Sequence, residues 1–281
     1  MRFGIGGRSS NVEDRRGLGG KAGMGIGGTV VLLVLSLIFG RDFIGESGVQ
    51  PGVTSASSGG LSAADSAREE PQVVFVGQVL DDAQRTWANI LPKYGTQYRE
   101  AKLVLFRDAT PTGCGTGQSA MGPFYCPLDE KVYIDLGFYD ELQRRLGASG
   151  DFAQAYVIAH ELGHHVQHLL GTDQQVRRAQ QADPSAANDY SVRLELQADC
   201  FAGVWGRSTA QRNNMSEGDL EEGMNAAASV GDDRILQKAG RRANVESFTH
   251  GSSAQRVGWF KKGYDSGDPR TCDTFAVNGE R

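Results

Sequence analysis

Residues 159–168 read "AHELGHHVQH" and place four histidines and one carboxylate within ten positions. His160 and His164 are four residues apart, so on a helix they lie on one face with their Cβ atoms about 5–6 Å apart. Two imidazole nitrogens at that separation can bind one zinc ion with Zn–N bonds of about 2.0–2.1 Å. Glu161 projects about 100° further round the helix, where its carboxylate can take a proton from a metal-bound water. The stretch therefore predicts His160 and His164 as zinc ligands and Glu161 as the general base.

A short pattern of this kind also occurs by chance, and the alternative is a solvated helix face that carries histidines. The flanking sequence favours a metal site. Residues 151–171, "DFAQAYVIAHELGHHVQHLLG", predict a helix with Asp151 as N-cap and Gly171 as C-cap. Its apolar residues form one stripe at intervals of three and four, on the side away from the two histidines. The predicted ligand face is therefore free of the predicted core.

A catalytic zinc site commonly has three protein ligands and leaves the fourth position to water. Metzincins turn the chain at a glycine before a third histidine, but Gln167 and Leu170 occupy those two positions here. His168 lies one further turn along the helix, about 6 Å from His164, and His165 faces another direction. Both of these histidines are therefore interpreted as rim or structural residues, and the third ligand has to come from another segment.

The stretch "RLELQADC", residues 193–200, supplies a candidate third ligand. Glu195 and Asp199 are four residues apart, so on a helix both carboxylates point the same way. Glu195 is predicted as the third ligand, and Asp199 as the acceptor of the free N–H of a ligating histidine, most naturally His160. The alternative for this pair is a charged helix face with a cap or an ion pair. Together with the histidine helix, the two segments form the gluzincin pattern, His-Glu-x-x-His followed by Glu-x-x-x-Asp.

The sequence resembles the bacterial family of putative neutral zinc metallopeptidases, the YpfJ-like proteins. The resemblance covers most of the chain and implies a single-pass, membrane-tethered zinc peptidase domain. It implies His160, His164 and Glu195 as the zinc ligands and Glu161 as the base, and it implies little about the substrate. Four stretches carry it: "NVEDRRG" (11–17), "AHELGHHVQ" (159–167), "LELQADCFAGVW" (194–205) and "THGSSAQRVGWF" (249–260).

Residues 22–40 contain no charged residue and would span roughly 28 Å as a helix, close to the hydrocarbon thickness of a bilayer. They predict one uncleaved transmembrane helix, with a cleaved signal peptide and a buried core helix as alternatives. Basic residues cluster before this stretch, which predicts a cytoplasmic N-terminus and an extracytoplasmic C-terminal body at the bacterial cell membrane. The predicted division is a cytoplasmic segment (1–21), the transmembrane helix (22–40), a flexible linker (41–70) and one zinc metallopeptidase domain (71–281).

The four cysteines form an even set that allows three pairings. An exported domain can keep disulfides oxidised, which agrees with the predicted location. We predict that Cys114 pairs with Cys126 across a glycine-rich loop, and that Cys200 pairs with Cys272. Free buried thiols that pack as small apolar residues are the alternative.

The order of the other elements predicts the fold class. "KLVLFRD" (102–108) and "KVYIDL" (131–136) are typical of short strands, and predicted helices follow them in series. We expect an α+β fold that is mainly helical, with a small sheet, as in a zincin-like metallopeptidase. The net charge of −5 provides no basic surface for nucleic acid, and no zinc-finger or RNA-binding motif occurs. The predicted partners are a protein or peptide substrate and the membrane.

His250, in "FTHGSS", is a further catalytic candidate, because an imidazole beside zinc can stabilise the oxyanion of a tetrahedral intermediate. The alternative is a histidine that caps or braces the helix starting near Ser252. Tyr133 lines the substrate cleft if its strand is a sheet edge, although core packing is favoured because tyrosine is common in strands.

A rival function is a catalytically inactive, zinc-stabilised envelope protein that acts as a binding module. A purely structural zinc site needs no Glu161 and usually closes its fourth position with protein, so the motif favours the enzyme. A metal-free adhesion or scaffold module is the third possibility. It is tested by measuring the metal content of the purified protein.

Overall fold

The computed structural model describes residues 1–4, 6–17 and 62–276. The predicted fold class is confirmed in its main features, because this part of the chain is mainly helical with a small sheet. The strands are β1 (Val12–Asp14), β2 (Lys102–Phe106), β3 (Ala109–Thr112), β4 (Gly115–Gln118), β5 (Phe124–Cys126) and β6 (Lys131–Asp135). The helices are α1 (Ala63–Ile90), α2 (Gly137–Arg144), α3 (Asp151–Leu170), α4 (Thr172–Ala182), α5 (Ala187–Gln211), α6 (Asp219–Ser229), α7 (Asp232–Lys238) and α8 (Ser253–Ser266).

The main sheet has the strand order β1-β2-β6-β5. β1, β2 and β6 run parallel, and β5 pairs antiparallel with β6 and forms an edge of the sheet. Tyr133 lies on the interior strand β6, where it is buried and stacks on Phe124. Its hydroxyl donates to Asp129, so Tyr133 is a core residue and the strand beside the cleft is β5.

Helix α3 carries "AHELGHHVQH" and ends, as predicted, at Gly171 in the left-handed conformation. Its N-cap is Gly150 rather than Asp151, and the φ of Gly150 is +109°, which L side chains rarely adopt. The carboxylate of Glu222 accepts the N–H of Phe152 at 3.1 Å, which satisfies a free donor of the first turn. A side chain from α6 therefore replaces the predicted local cap.

Helix α1 begins at Ala63, so the folded domain starts earlier than the predicted boundary at residue 71. The side chain of Ser62 accepts the N–H of Asp65 and caps the helix, which then continues through Pro71. The small polar residues of this stretch suggested a linker, but they form a capped first turn. The remainder of the predicted linker, residues 41–61, lies outside the described residues.

The N-terminal segment is part of the same folded body. β1 adds to the sheet in parallel with β2, with Val12 opposite Leu103. The side chain of Arg16 is fully buried and donates to Glu69 of α1 at 2.6 Å and to Asp14 at 2.7 Å. Backbone pairing and buried ion pairs of this kind tie residues 6–17 to the domain.

This arrangement differs from the predicted division of the chain, in which residues 1–21 are cytoplasmic and the domain is extracytoplasmic. Strands on opposite sides of a bilayer cannot pair, so β1 and β2 have to share one compartment. Arg8 and Arg16, two of the basic residues before residues 22–40, bind Glu70 and Glu69 in the fold. The predicted transmembrane helix, residues 22–40, lies outside the described residues.

Among residues 1–4, 6–17 and 62–276, no helix combines the length and the apolar character that a membrane crossing needs.

Two glycines allow helices α5 and α8 to approach closely. A Cβ on Gly203 would lie 2.0 Å from the carbonyl oxygen of Phe260, and one on Gly263 would lie 1.9 Å from that of Cys200. No larger residue fits at either position without separating the helices. This contact brings the first turn of α8 against the metal-site face of α5.

Both predicted disulfides are confirmed. Cys114–Cys126 closes a loop with a sequence separation of 12, and Cys200–Cys272 links α5 to the C-terminal segment with a separation of 72. Each pair has Cα atoms less than 6 Å apart, within the ordinary range for a disulfide.

Candidate metal centre

The three predicted ligands come together at the contact of α3 with α5. Nε2 of His160 lies 3.2 Å from Oε2 of Glu195, and Nε2 of His164 lies 3.4 Å from Oε1 of the same carboxylate. The two imidazole rings are 4.8 Å apart, centroid to centroid, and nearly perpendicular. Their ligand atoms form one group of the size that a metal ion can bridge.

These distances fit the spacing of ligands around zinc. In a tetrahedral site with bonds of about 2.0–2.1 Å, neighbouring ligand atoms are about 3.3–3.4 Å apart. The nitrogen–oxygen separations of 3.2 and 3.4 Å match that edge length. Two neutral imidazoles and one carboxylate are also a ligand set of catalytic zinc sites. The residues present therefore fit a zinc ion.

The second nitrogen of each histidine has its own partner. Nδ1 of His160 lies 2.9 Å from Oδ1 of Asp199, and Nδ1 of His164 lies 2.8 Å from Oε1 of Gln167. Because both partners are acceptors, each Nδ1 carries a proton, so that in the neutral imidazole the lone pair is on Nε2, which faces Glu195. The fold thus selects the tautomer that zinc binding requires. Asp199 has the position predicted for it, while Gln167 was missed.

Gln167 is itself fixed by its neighbours. It is fully buried, and its amide nitrogen donates to the carbonyl oxygen of Leu194 at 2.7 Å and to the side chain of Gln197 at 3.1 Å. Its amide oxygen is therefore oriented toward His164. The local signal was its position three residues after His164, which places it on the same side of the helix.

The charge of the centre also suits a dication. Glu161 and Asp199 are buried and Glu195 is nearly so, and Arg256 is the buried cation beside them. Three carboxylates and one guanidinium leave two negative charges, which a divalent ion would neutralise. Burial on its own would lower the pKa of His160, but the charges and hydrogen bonds of Asp199 and Glu195 outweigh it and raise the pKa to about 10. Without metal, a proton on this imidazole partly takes the place of the ion.

Glu161 lies beside the ligand group and lines the same cleft. It is 7% exposed, and its burial raises the pKa of the carboxyl group above its ordinary value. A carboxyl group with a raised pKa is a better proton acceptor near neutral pH than an exposed one.

His250 lines the cleft from the segment between α7 and α8. Its Nδ1 lies 3.0 Å from Oγ1 of Thr249 and 3.2 Å from Oδ1 of Asp232. The other oxygen of Asp232 accepts the backbone N–H groups of Thr249, His250 and Gly251. The cap of α8 is Ser252, which forms a capping box with Gln255. His250 is therefore not a cap. Asp232 orients its ring, and this partner was missed in the sequence.

His165 and His168 do not join the ligand group. His165 is fully buried, with Nε2 on the carbonyl oxygen of Arg99 at 2.7 Å and Nδ1 on the hydroxyl of Tyr125 at 2.9 Å. His168 binds Asp173 at 3.0 Å. Both positions agree with the structural interpretation.

The cleft above the centre has a volume of about 1090 Å³. Its lining comes from the ligand helix α3, from β5 and the segment before it, from α4 and α5, and from α7 with the following loop. Apolar side chains dominate the lining on the β5 side, whereas α7 and the following loop contribute both apolar and polar side chains. The apolar lining includes Met121, Pro123, Phe124, Phe138, Val157, Ile235 and Leu236.

The fold and this centre define a class of protein in which a His-Glu-x-x-His helix faces a Glu-x-x-x-Asp helix beneath an open cleft. The chain belongs to the family described as "Putative neutral zinc metallopeptidase", whose model matches residues 1–275. The resemblance predicted from the sequence is confirmed at this level.

Two relatives illustrate the family. The chain is 49% identical over 279 residues to "Uncharacterized protein YpfJ" of Escherichia coli (strain K12), covering 95% of this chain and 96% of the relative. It is 45% identical over 217 residues to "Uncharacterized protein Rv2575" of Mycobacterium tuberculosis (strain ATCC 25618 / H37Rv), covering 73% of this chain and 70% of the relative. No solved structure shows a significant match.

Proposed function

We propose that the protein is a zinc-dependent endopeptidase that hydrolyses peptide bonds within protein or peptide substrates. The observation that carries this proposal is the spacing of the ligand atoms. The Nε2 atoms of His160 and His164 lie 3.2 and 3.4 Å from the two oxygens of Glu195, beside a buried Glu161 and below an open cleft. A structural zinc site would need neither the base nor the cleft.

Zinc held by these three residues would polarise the scissile carbonyl and lower the pKa of an attacking water. Glu161 accepts the proton from that water as it attacks the carbonyl carbon. The same carboxyl group then delivers the proton to the amide nitrogen as the C–N bond breaks. His250, oriented by Asp232, donates a hydrogen bond to the oxyanion that develops on the carbonyl oxygen.

The sheet edge beside the centre supports the proposal that the substrate binds in an extended conformation. β5 is hydrogen-bonded to β6 on one side only, so its other side can pair with the backbone of a peptide. The apolar part of the cleft lining would bury substrate side chains next to the scissile bond. Main-chain pairing explains how a peptidase can act inside a chain rather than only at its ends.

The disulfides support a location outside the cytoplasm, because such bonds persist in oxidising compartments. We propose that the domain works on the extracytoplasmic side of the bacterial cell membrane, together with the N-terminal strand that pairs with it. The single transmembrane pass predicted from the sequence for residues 22–40 is not part of this proposal, because one pass would separate β1 from β2.

The proposal is tested with Glu161→Gln, which keeps the shape of the side chain and removes the base. We expect the variant to keep its zinc and to lose peptidase activity about 10²–10⁴-fold in kcat, the range of general acid–base catalysis. Zinc content is measured by elemental analysis and activity with a peptide library. Glu141→Gln, on an exposed turn of α2, is the matched control and retains activity.

Three outcomes separate the candidate functions. Undiminished proteolysis by the Glu161→Gln variant would exclude this carboxylate as the base. Bound zinc without any cleavage by the wild-type protein would favour the zinc-stabilised binding module. Absence of zinc from the wild-type protein would exclude both. In the enzyme, a chelator removes activity and added zinc restores it.

A further inference from the structure

Arg256, in the first two turns of α8, is a buried residue that the proposed mechanism leaves unused. It is 3% exposed. Its Nε donates to Oδ2 of Asp199 at 2.7 Å, and its Nη2 donates to Oδ1 at 2.9 Å. The guanidinium and the carboxylate therefore form a two-bond fork, the strongest and most directional pairing available to these groups.

The other donors of Arg256 are also engaged. Nη1 donates to the carbonyl oxygen of Val230 at 3.2 Å, and Nη2 makes a second bond, to the hydroxyl of Tyr156, at 3.2 Å. Four of the five N–H groups of the guanidinium thus have protein partners. Arg256 has too little free donor capacity to bind a substrate carboxylate, although it lies at the base of the cleft.

Asp199, the acceptor of this fork, is completely buried and lies directly behind a ligand. Its Oδ1 also accepts hydrogen bonds from Nδ1 of His160 and from the hydroxyl of Tyr156. A carboxylate held by only one histidine could rotate about its χ angles and take the imidazole with it. The fork from Arg256 fixes the plane of the carboxylate, and the carboxylate fixes the plane of the ring.

We propose that Arg256 is a positioning residue of the zinc centre, which acts through Asp199 to aim Nε2 of His160 at the metal. This inference rests on the proposed function, because it assumes that the centre binds zinc. The guanidinium also lies 3.8 Å from Oε2 of Glu195, so its positive charge is close to two of the three ligands. Lysine cannot replace it, since an ammonium group makes no planar fork with a carboxylate.

The chain offers a matched control at the end of α5, the helix that carries Asp199. Arg212, at the C-cap of α5, donates to both oxygens of the buried Asp82 at 3.0 and 2.6 Å. This second fork braces α5 against α1 and contacts none of the ligands. Arg212→Lys therefore measures what the loss of a buried fork does to the fold alone.

The first experiment compares zinc dissociation constants, obtained by competition with a chelating dye, for the wild type, Arg256→Lys and Arg212→Lys. We expect both substitutions to lower the Tm, and only Arg256→Lys to weaken zinc binding, by about 10-fold or more, as for other groups that orient a ligating histidine. We also expect Arg256→Lys to lower kcat with little change in KM. Equal zinc affinities in the two variants would overturn the positioning role.

The second experiment is a double-mutant cycle of Asp199→Asn and Arg256→Met on zinc affinity. If Arg256 acts through Asp199, Arg256→Met weakens zinc binding much less in the Asp199→Asn background than in the wild type. Additive effects would show that Arg256 acts on the fold and not through Asp199. Should Arg256→Met fail to fold, Arg256→Lys, which keeps the charge, takes its place in the cycle.

These readouts separate the inference from the proposed function. A wild-type protein that binds zinc but cleaves nothing refutes the peptidase, and the affinity cycle still decides the role of Arg256. A wild-type protein that binds no zinc refutes both.

Discussion

The buried charges of the centre predict how the metal-free protein responds to pH. Without a dication, protons on the ligand histidines balance part of the charge of the surrounding carboxylates. Asp199 and Glu195 outweigh the effect of burial and raise the pKa of His160 to about 10, from an ordinary value of 6.5. The protonated imidazole therefore stabilises the metal-free fold.

The sign and size of the effect follow from that difference. Because the pKa is higher in the folded protein, the contribution of His160 is complete below about pH 6.5 and is lost as the pH rises toward 10. The pKa of His160 differs by about 3.5 between the folded and unfolded protein, and each pKa unit corresponds to about 1.36 kcal/mol. His160 therefore contributes at most about 5 kcal/mol to the free energy of unfolding, which is about 5–15 kcal/mol in a typical protein. The pKa of His164 is also raised, and its contribution has the same sign.

The assay is urea unfolding of the chelator-treated protein, with its disulfides intact, at pH values between 6.5 and 9.5. We expect the free energy of unfolding to fall by about 1 kcal/mol or more per pH unit and to recover when zinc is added. His160→Gln should remove most of this slope. His168→Gln, whose ring contacts Asp173 and not the ligands, should retain it. A free energy that stays constant or rises over this range in the metal-free wild type would refute the reasoning.

Two further predictions concern the cleft and the N-terminal segment. His250→Gln should lower kcat by about 10²-fold, the effect of losing one oxyanion donor, with a smaller loss for Asp232→Asn, in steady-state assays with a peptide substrate; a change in KM alone would contradict the oxyanion role. If a protease site is inserted within residues 41–61 and cut, the N-terminal fragment should still co-elute with the domain in gel filtration, because β1 remains paired with β2. Separation of the fragment under native conditions would show that residues 1–17 are not held by the fold.

Much of the ligand set could be predicted because it depends on local geometry. The helical repeat places His160 and His164 on one face, and it does the same for Glu195 and Asp199. These relations hold in any helix, whatever packs against it. The C-cap at Gly171 was predictable for a similar reason, since glycine readily adopts the left-handed conformation that ends a helix.

The errors have a different origin. The N-cap of α3 was assigned to Asp151, but a carboxylate from α6 satisfies the first turn. Residues 62–70 suggested a linker because their composition is small and polar, although Ser62 caps a helix there. The partners of Arg8 and Arg16 on α1 were not predicted, because they lie more than fifty residues away in sequence.

The sequence by itself determined the metal-binding residue types, their spacing within each helix and the mainly helical fold class. Only the tertiary structure decided that Gln167 contacts His164, that Arg256 holds Asp199, and that the N-terminal strand completes the sheet. The physical reason is that most of these contacts join segments far apart along the chain. The approach of α5 to α8, for example, depends on Gly203 and Gly263 facing each other's backbone. No local periodicity encodes such a contact, and it exists only once the helices have packed.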